Sequence, residues 1–339
     1  MTRQRLTTGR RLALFGMLAL ACVLSIAVAI GSAISEGESS AGDGARATEL
    51  LSDALDKGRP VVVFRSIDGD QPKDSGQVAV AATGGSRARE LASLSCDRVY
   101  FAADAGLCLA RGGGFAAGYR AKVLGPDLRV RHEIPVEGIP SRARVSPDGR
   151  YGSVTLFVTG HAYAEAGTFS TQTTLIDLRR GERIADLEQF TVTHEGRQVT
   201  AVDVNFWGVT FARDSNRFYA TMATGGRTYL IAGSVSGRTA HTLHENVECP
   251  SLSPDGTRVA YKKRVGAGAN PWRLAVLDLA TMRETLLAET RSVDDQAEWF
   301  DDGRVLYGIG GEIWTVRADG RGKPQRFLDE ADSPAVARL

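Results

Sequence analysis

The chain has 339 residues, with 41 Lys plus Arg against 40 Asp plus Glu and a formal net charge of +1. So even a balance leaves no basic field to collect nucleic acid, and no nucleic-acid module motif is visible, so no nucleic-acid partner is expected. The length suits one large domain and an anchor, and heavy Arg, Ala, Gly and Val usage suits a GC-rich, for example actinobacterial, genome.

Residues 1–11 hold Arg3, Arg5, Arg10 and Arg11 and read as a cytoplasmic basic segment. Residues 12–34, from Leu12 to Ile34, are uncharged and mostly apolar, long enough to span a bilayer as a helix. Glu36, Glu38 and Asp43 follow. Positive charge before the span and none soon after it places the N-terminus inside and the remainder outside. The expectation is a signal anchor in the cell membrane, single-pass, with the C-terminal domain extracytoplasmic. The rival is a chain secreted after cleavage near Ala27-Val28-Ala29 or Gly31-Ser32-Ala33. A lipoprotein reading of Cys22 is weaker: Ala19 stands where Leu is usual, and the residues after Cys22 stay apolar.

Residues 35–59 read as a linker and short helix. Ser, Gly, Glu and Ala dominate 35–46, and Ala47 to Lys57 lines up Leu50, Leu51, Ala54 and Leu55 before the stop Gly58-Arg59-Pro60. From residue 60 helical periodicity nearly vanishes. Runs such as Val61-Val62-Val63-Phe64, Thr173-Thr174-Leu175-Ile176 and Leu274-Ala275-Val276-Leu277 are strand-like and bounded by turn residues. Cys96 and Cys108 flank a hairpin through Asp104-Ala105-Gly106, so they are a disulfide candidate, with two buried thiols as the alternative. Cys249 is then unpaired.

Ser146-Pro147-Asp148-Gly149-Arg150 and Ser253-Pro254-Asp255-Gly256-Thr257 each stand between two strand-like runs. Degraded copies occur at Ala212-Arg213-Asp214-Ser215-Asn216 and Phe300-Asp301-Asp302-Gly303-Arg304. A turn phrase recurring this way marks a radial β repeat. Proline sets φ, aspartate bonds back to the backbone and glycine accepts positive φ. Asp148, Asp214, Asp255 and Asp302 are therefore assigned structural turn roles. The fold class is all-β: a six-bladed β-propeller over 60–330, with five blades as runner-up, behind an N-terminal transmembrane helix. Residues 331–339 read as a C-terminal tail.

The S-P-D-G turns after inner strands resemble the TolB-type, WD40-like β-propeller, well over 140–328 and loosely over 60–140. The phrases Pro140 to Tyr151, Asn205 to Asp214 and Ser292 to Trp299 are similar to those of actinobacterial TolB-like translocation proteins. The resemblance implies an envelope module that binds protein and is not an enzyme. The chain departs from TolB in showing no obvious α/β domain before the propeller. Prolyl-oligopeptidase-type enzymes share the turn, but their hydrolase domain needs far more chain than is present.

Catalytic patterns are weak. Gly233-Ser234-Val235-Ser236-Gly237 imitates a nucleophile elbow with Val235 at the centre. Gly112-Gly113-Gly114-Phe115-Ala116-Ala117 is a partial dinucleotide phrase followed by a strand. His241 and His244 sit on a strand, pointing to opposite faces. Asp294, Asp295, Glu298, Asp301 and Asp302 form the best acidic cluster, read as a solvated mouth. No catalytic residue, metal or cofactor is assigned. Counting back by two and four from each turn gives Arg144 and Arg142, Thr210 and Gly208, Ser251 and Cys249, Glu298 and Gln296, and Ser93 and Leu91 as one face of the inner strands. Arg142, Arg144, Thr210, Ser251, Gln296 and Glu298 are thus the channel or binding candidates. Arg142 and Arg144 either receive a carboxylate or acidic peptide, or pair with Glu298 or Asp295. Val145, Phe211, Leu252, Trp299 and Leu94 face the core. The reading is a membrane-anchored protein- or peptide-binding scaffold of the cell envelope, with the membrane and a protein as partners. The alternative is a propeller hydrolase or lactonase-like enzyme with a central cation site.

Overall fold

The S-P-D-G phrase folds as its chemistry requires. At Ser146 the hydroxyl meets Asp148 Oδ1 at 2.6 Å and accepts the Tyr151 N–H at 2.9 Å, while Asp148 Oδ1 accepts the Arg150 N–H at 3.0 Å. Gly149, at φ +67, closes the turn onto the Ser146 carbonyl at 2.9 Å. Ser253, Asp255 and Gly256 repeat the arrangement. Asp214 holds the N–H groups of Asn216 and Arg217, with Ser215 at φ +54 where the intact phrase has glycine. The last copy departs from expectation. Asp301 accepts the Gly303 N–H at 2.9 Å, while Asp302 accepts the Asp255 N–H of the neighbouring turn at 2.9 Å. This joint is a tight hairpin in which Asp301 still pairs with Arg304, which moves the capping aspartate back by one.

The computed structural model describes residues 44–67, 76–83, 88–112, 118–158, 170–266, 268 and 271–338. Six sheets form a ring. Following the chain, their innermost strands are Arg98–Ala102, Ile139–Val145, Asn205–Phe211, Glu248–Leu252, Glu298–Asp301 and Ala331–Ala337. We number the blades from the N-terminus. Blade 1 is a composite: Val61–Ser66, Gln77–Ala82 and Arg89–Ser95 build its outer part, and Ala331–Ala337 pairs antiparallel with Val61–Ser66 as its inner strand. The segment expected as a tail is thus the strand that closes the ring. It evades a pattern search because Pro334 and a break at Ser333, φ +52, interrupt the alternation.

Alternation does the packing. In Val61–Ser66, Val61 and Val63 enter the cluster shared with blade 2, while Val62 and Phe64 enter the one shared with blade 6. A sheet covered on both faces has a continuous apolar run rather than an alternating one. An apolar cluster fills each gap between neighbouring blades. Blade 4 carries extra strands, Thr191–His194 and Arg197–Gln198; the first lies parallel to its outer strand Thr239–Glu245 and covers that edge.

The helix spans 44–56 and buries Ala47, Leu51, Ala54 and Leu55 against blades 1 and 2. It stops at Gly58, φ +59, where Gly58 N–H bonds Leu55 O and Arg59 N–H bonds Ala54 O, the paired bonds of a left-handed C-terminal cap. Cys96 and Cys108 are disulfide-bonded, with Cα atoms 5.5 Å apart, and Cys249 is a buried free thiol. Segments 1–11 and 12–34 lie outside the described residues. No helix among the described residues is long and apolar enough to cross a membrane.

Candidate functional site

The inner strands of blades 2 to 6 run from one end of the channel toward their turns at the other, and Ala331–Ala337 runs the same way without a turn of its own. At the turn end, neighbouring turns touch one another. Besides Asp302 on Asp255, Arg258 donates to the Asp302 carbonyl at 2.8 Å, and a Cβ on Gly149 would lie 2.7 Å from Asp104 Oδ1. The channel-facing side chains of the inner strands form the candidate site.

Close to the turn end the channel is crossed by an ion pair. Arg144 of blade 3 donates to Glu298 of blade 6, diametrically across the ring, and also to Ala297 O at 3.2 Å. Glu298 further accepts the Tyr100 hydroxyl at 3.0 Å and the Val336 N–H at 3.5 Å. The Arg144 guanidinium lies 4.4 Å from the Tyr100 ring centroid. Arg144 is 4% exposed and Glu298 6%. Burial opposes the charge on Arg144, but Tyr100 and Glu298 outweigh it and hold the guanidinium above its usual range. The Tyr100 phenol is pushed well up, by burial first. For Arg144, pairing with Glu298 is therefore the alternative the structure adopts.

Arg142 behaves differently. Its guanidinium donates to the carbonyl of Ser141, at 2.9 Å, and lies by the Cys249 sulfur, while its Nε has no partner. Arg98, on the next inner strand, donates to the same carbonyl at 2.8 Å. Arg98, Arg142, Arg144, Tyr100, Asp295 and Ser333 are among the residues that line a small cleft between them.

The remaining candidates stitch blades together. Thr210 accepts the Leu252 N–H at 3.1 Å. Ser251 accepts Trp299 Nε1–H on its carbonyl at 2.7 Å. Gln296 donates to Pro250 O at 2.9 Å and to Val209 O at 3.4 Å. Gly208 and Cys249 sit in bulges, at φ +65 and +50, with Cys249 N–H bonded to Thr221 Oγ1 at 2.9 Å. Leu91 and Ser93 lie on the outer strand Arg89–Ser95 of blade 1, not on an inner strand. The true inner strand of blade 2 is Arg98–Ala102, so Arg98 and Tyr100 are the site residues that sequence reasoning missed. Its turn, Ala103-Asp104, has neither Pro nor Gly. The hairpin that follows it was legible, and counting back from there reaches both.

The acidic cluster disperses. Asp294 pairs with Lys262, Asp301 with Arg304 at 2.6 Å, and Asp295 caps the Gln296 N–H at 2.8 Å. Lys262 holds the Asp294 carboxyl below its usual range against the effect of burial. His244 meets Glu284 at 3.1 Å while His241 is exposed. Gly233 to Gly237 is a hairpin turn, with Ser234 Oγ accepting the Gly237 N–H at 3.1 Å. Of the glycine-rich phrase at 112–117 only Gly112 is described, and its N–H bonds Gly118 O at 2.8 Å. Among the described residues no three His, Cys, Asp or Glu side chains converge as a metal group.

No protein-family model matches the chain, and no curated protein matches it. Among solved structures it is similar to TolB from Acinetobacter baumannii, with a TM-score of 0.57 at 16% identity over 83% of this chain and 67% of that one. It is also similar to a chain of a nidogen/laminin complex, with a TM-score of 0.52 at 10% identity over 82% of this chain and 97% of that one. At these identities the likeness shows the fold, a TolB-like propeller.

Proposed function

We propose that this TolB-like propeller is a protein-binding scaffold of the cell envelope that receives its partner on the face where the inner strands begin. One observation carries the reading: exposed apolar side chains form an arc on that face around a blocked channel. Ile139 and Phe157, paired across blade 3, are 62% and 39% exposed; Val202, before the inner strand of blade 4, is 71% exposed; Val265, in a loop of blade 5, is 47% exposed. Large apolar side chains gathered beside charged ones on one face suit a partner surface. The Arg144–Glu298 pair fills the axis, so the ring works by its face rather than by passage through its centre. A chain in a nidogen/laminin complex shows this fold inside an assembly of proteins.

An anchor at 12–34 with the propeller outside the cytoplasm belongs to the same proposal. It is supported by the charge asymmetry around the apolar segment and by the Cys96–Cys108 bond, which suits an oxidising space. Photo-crosslinkers at Ile139 and at Met282, at the turn end, test the docking face in native membranes. A discrete partner captured from Ile139 and not from Met282 is expected. Equal capture from both, or from neither, refutes the face. Mass spectrometry of the native N-terminus tests the anchor; a mature chain beginning near Ile34 rules it out.

A further inference from the structure

Two guanidiniums at the head of the channel lack the anion that their surroundings call for. Arg98 Nε and Arg142 Nη1 converge on the single carbonyl of Ser141, at 2.8 and 2.9 Å, so the two cations lie side by side. A further hydrogen bond, from Arg98 to Asp97 O at 3.1 Å, also goes to backbone. Among the described residues neither forms an ion pair, and the Nε atoms of Arg142 and Arg144 are buried without a hydrogen-bond partner.

The acids nearby are committed elsewhere. Asp332 is gripped by both arms of Arg65, at 2.8 and 2.6 Å. Asp294 is held by Lys262 and Glu298 by Arg144. Asp295 is the exception: it lines the cleft with one oxygen on the Gln296 N–H, and its charge acts on both guanidiniums without a hydrogen bond to either. Like charges side by side at reduced dielectric repel. Burial, then Arg142, pushes the Arg98 guanidinium down. For Arg142, burial opposes the charge, while the Cys249 sulfur and Asp295 more than offset it. An anion placed between the two would relieve the repulsion and meet the vacant Nε of Arg142.

We propose that Arg98 and Arg142 form a carboxylate pocket that takes an aspartate or glutamate side chain of the docking partner. The pocket rests on the protein-binding reading above and specifies its chemistry. Guanidinium forks match the two coplanar oxygens of a carboxylate. The cleft is small, with about 30 Å³ open to a water-sized sphere. That leaves room for the head of a side chain and none for a whole organic ligand, whose pockets start at about 300 Å³. Val99 and Pro334 supply apolar wall beside the charges. Ile139 and Phe157 lie on the same face, so the segment that fits is an acidic residue flanked by apolar ones.

The test is calorimetric titration of the full-length protein with a capped tripeptide, aspartate between two leucines, against the same peptide with asparagine. Inorganic phosphate is a third arm. The aspartyl peptide is expected to bind about tenfold more tightly than the asparaginyl one, the worth of one charged hydrogen-bonded contact. Arg98→Gln and Arg142→Gln, each checked by thermal melting, are expected to lose that preference. Arg142→Lys is expected to keep part of it. Equal binding of the two peptides, or no binding of either, overturns the pocket without any variant. Folded Arg98→Gln and Arg142→Gln proteins that keep the preference overturn it too. Phosphate bound while the aspartyl peptide is not reassigns the anion and overturns it as well. Capture from Ile139 with no aspartate preference would sink the pocket and leave the docking face standing.

Discussion

Removing one partner of the pair across the axis is the most direct test of how this ring is held. Glu298→Leu leaves Arg144 charged, 4% exposed and facing carbon. It also strips the Tyr100 hydroxyl of its acceptor at 3.0 Å. Breaking a buried pair from one side costs about 3–5 kcal/mol. At roughly 2 °C per kcal/mol for a domain of this size, that is a fall of roughly 6–10 °C in melting temperature. Arg144→Met should cost a similar amount. The double variant Arg144→Met/Glu298→Leu removes both charges and keeps the volume, so it should be more stable than either single variant. Denaturant unfolding followed by tryptophan fluorescence reads this out, because Trp299 is buried in the strand next to Glu298. Single variants that lose under about 1 kcal/mol, or a double variant that loses the sum of both, would refute the claim that the pair is desolvated and coupled.

Gly208→Ala should cost more than about 2 kcal/mol, since φ is +65 and the new Cβ would stand 2.7 Å from Cys249 Cα; a melt within a degree of wild type contradicts this. Reducing the Cys96–Cys108 bond, or Cys96→Ser with Cys108→Ser, should lower stability by about 3 kcal/mol in the chain-entropy account; unchanged melting with and without reductant contradicts it. Glu289, 1% exposed, is pushed up by burial but pulled further down by Arg291 and Tyr307, to about 2. Its folded value lies below the usual 4.5, so its contribution is complete above that pH and is lost as pH falls toward 2. The shift corresponds to about 3 kcal/mol. Glu289→Gln should flatten the acid limb of the stability curve, measured by urea unfolding at successive pH values, and an unchanged limb contradicts the assignment.

What could be read in the chain follows from where local chemistry alone decides the backbone. Ser146 with Asp148, and Ser253 with Asp255, build their turns from neighbours in sequence, so the repeat and the blade count were legible there. Ala103-Asp104 does the same job through position in the sheet, with Ala103 at φ +48, and its strand was misassigned for lack of a marker. The hairpin at Gly303 took Asp301 as its cap because pairing with Arg304 left Asp302 outside. The candidate site divides the same way. Arg144 and Glu298 lie close to their turns, where alternation holds. Gly208 and Cys249 lie beyond bulges that break it, so counting by twos does not give their direction. The partnership of Arg98 with Arg142 joins two blades through one carbonyl, a tertiary fact that no periodicity encodes.

The composite first blade sets an order of events during biosynthesis. Val61–Ser66 is made well before the partner of its inner edge, Ala331–Ala337. Through most of translation that edge stays open, an invitation to stray strands. Joining the two ends of the ring, Val61 to Ala337, is also a contact of large sequence separation, the kind that slows folding. A nascent chain stalled short of its final strand would therefore present an incomplete ring with a sticky rim, a form suited to recognition by chaperones and proteases.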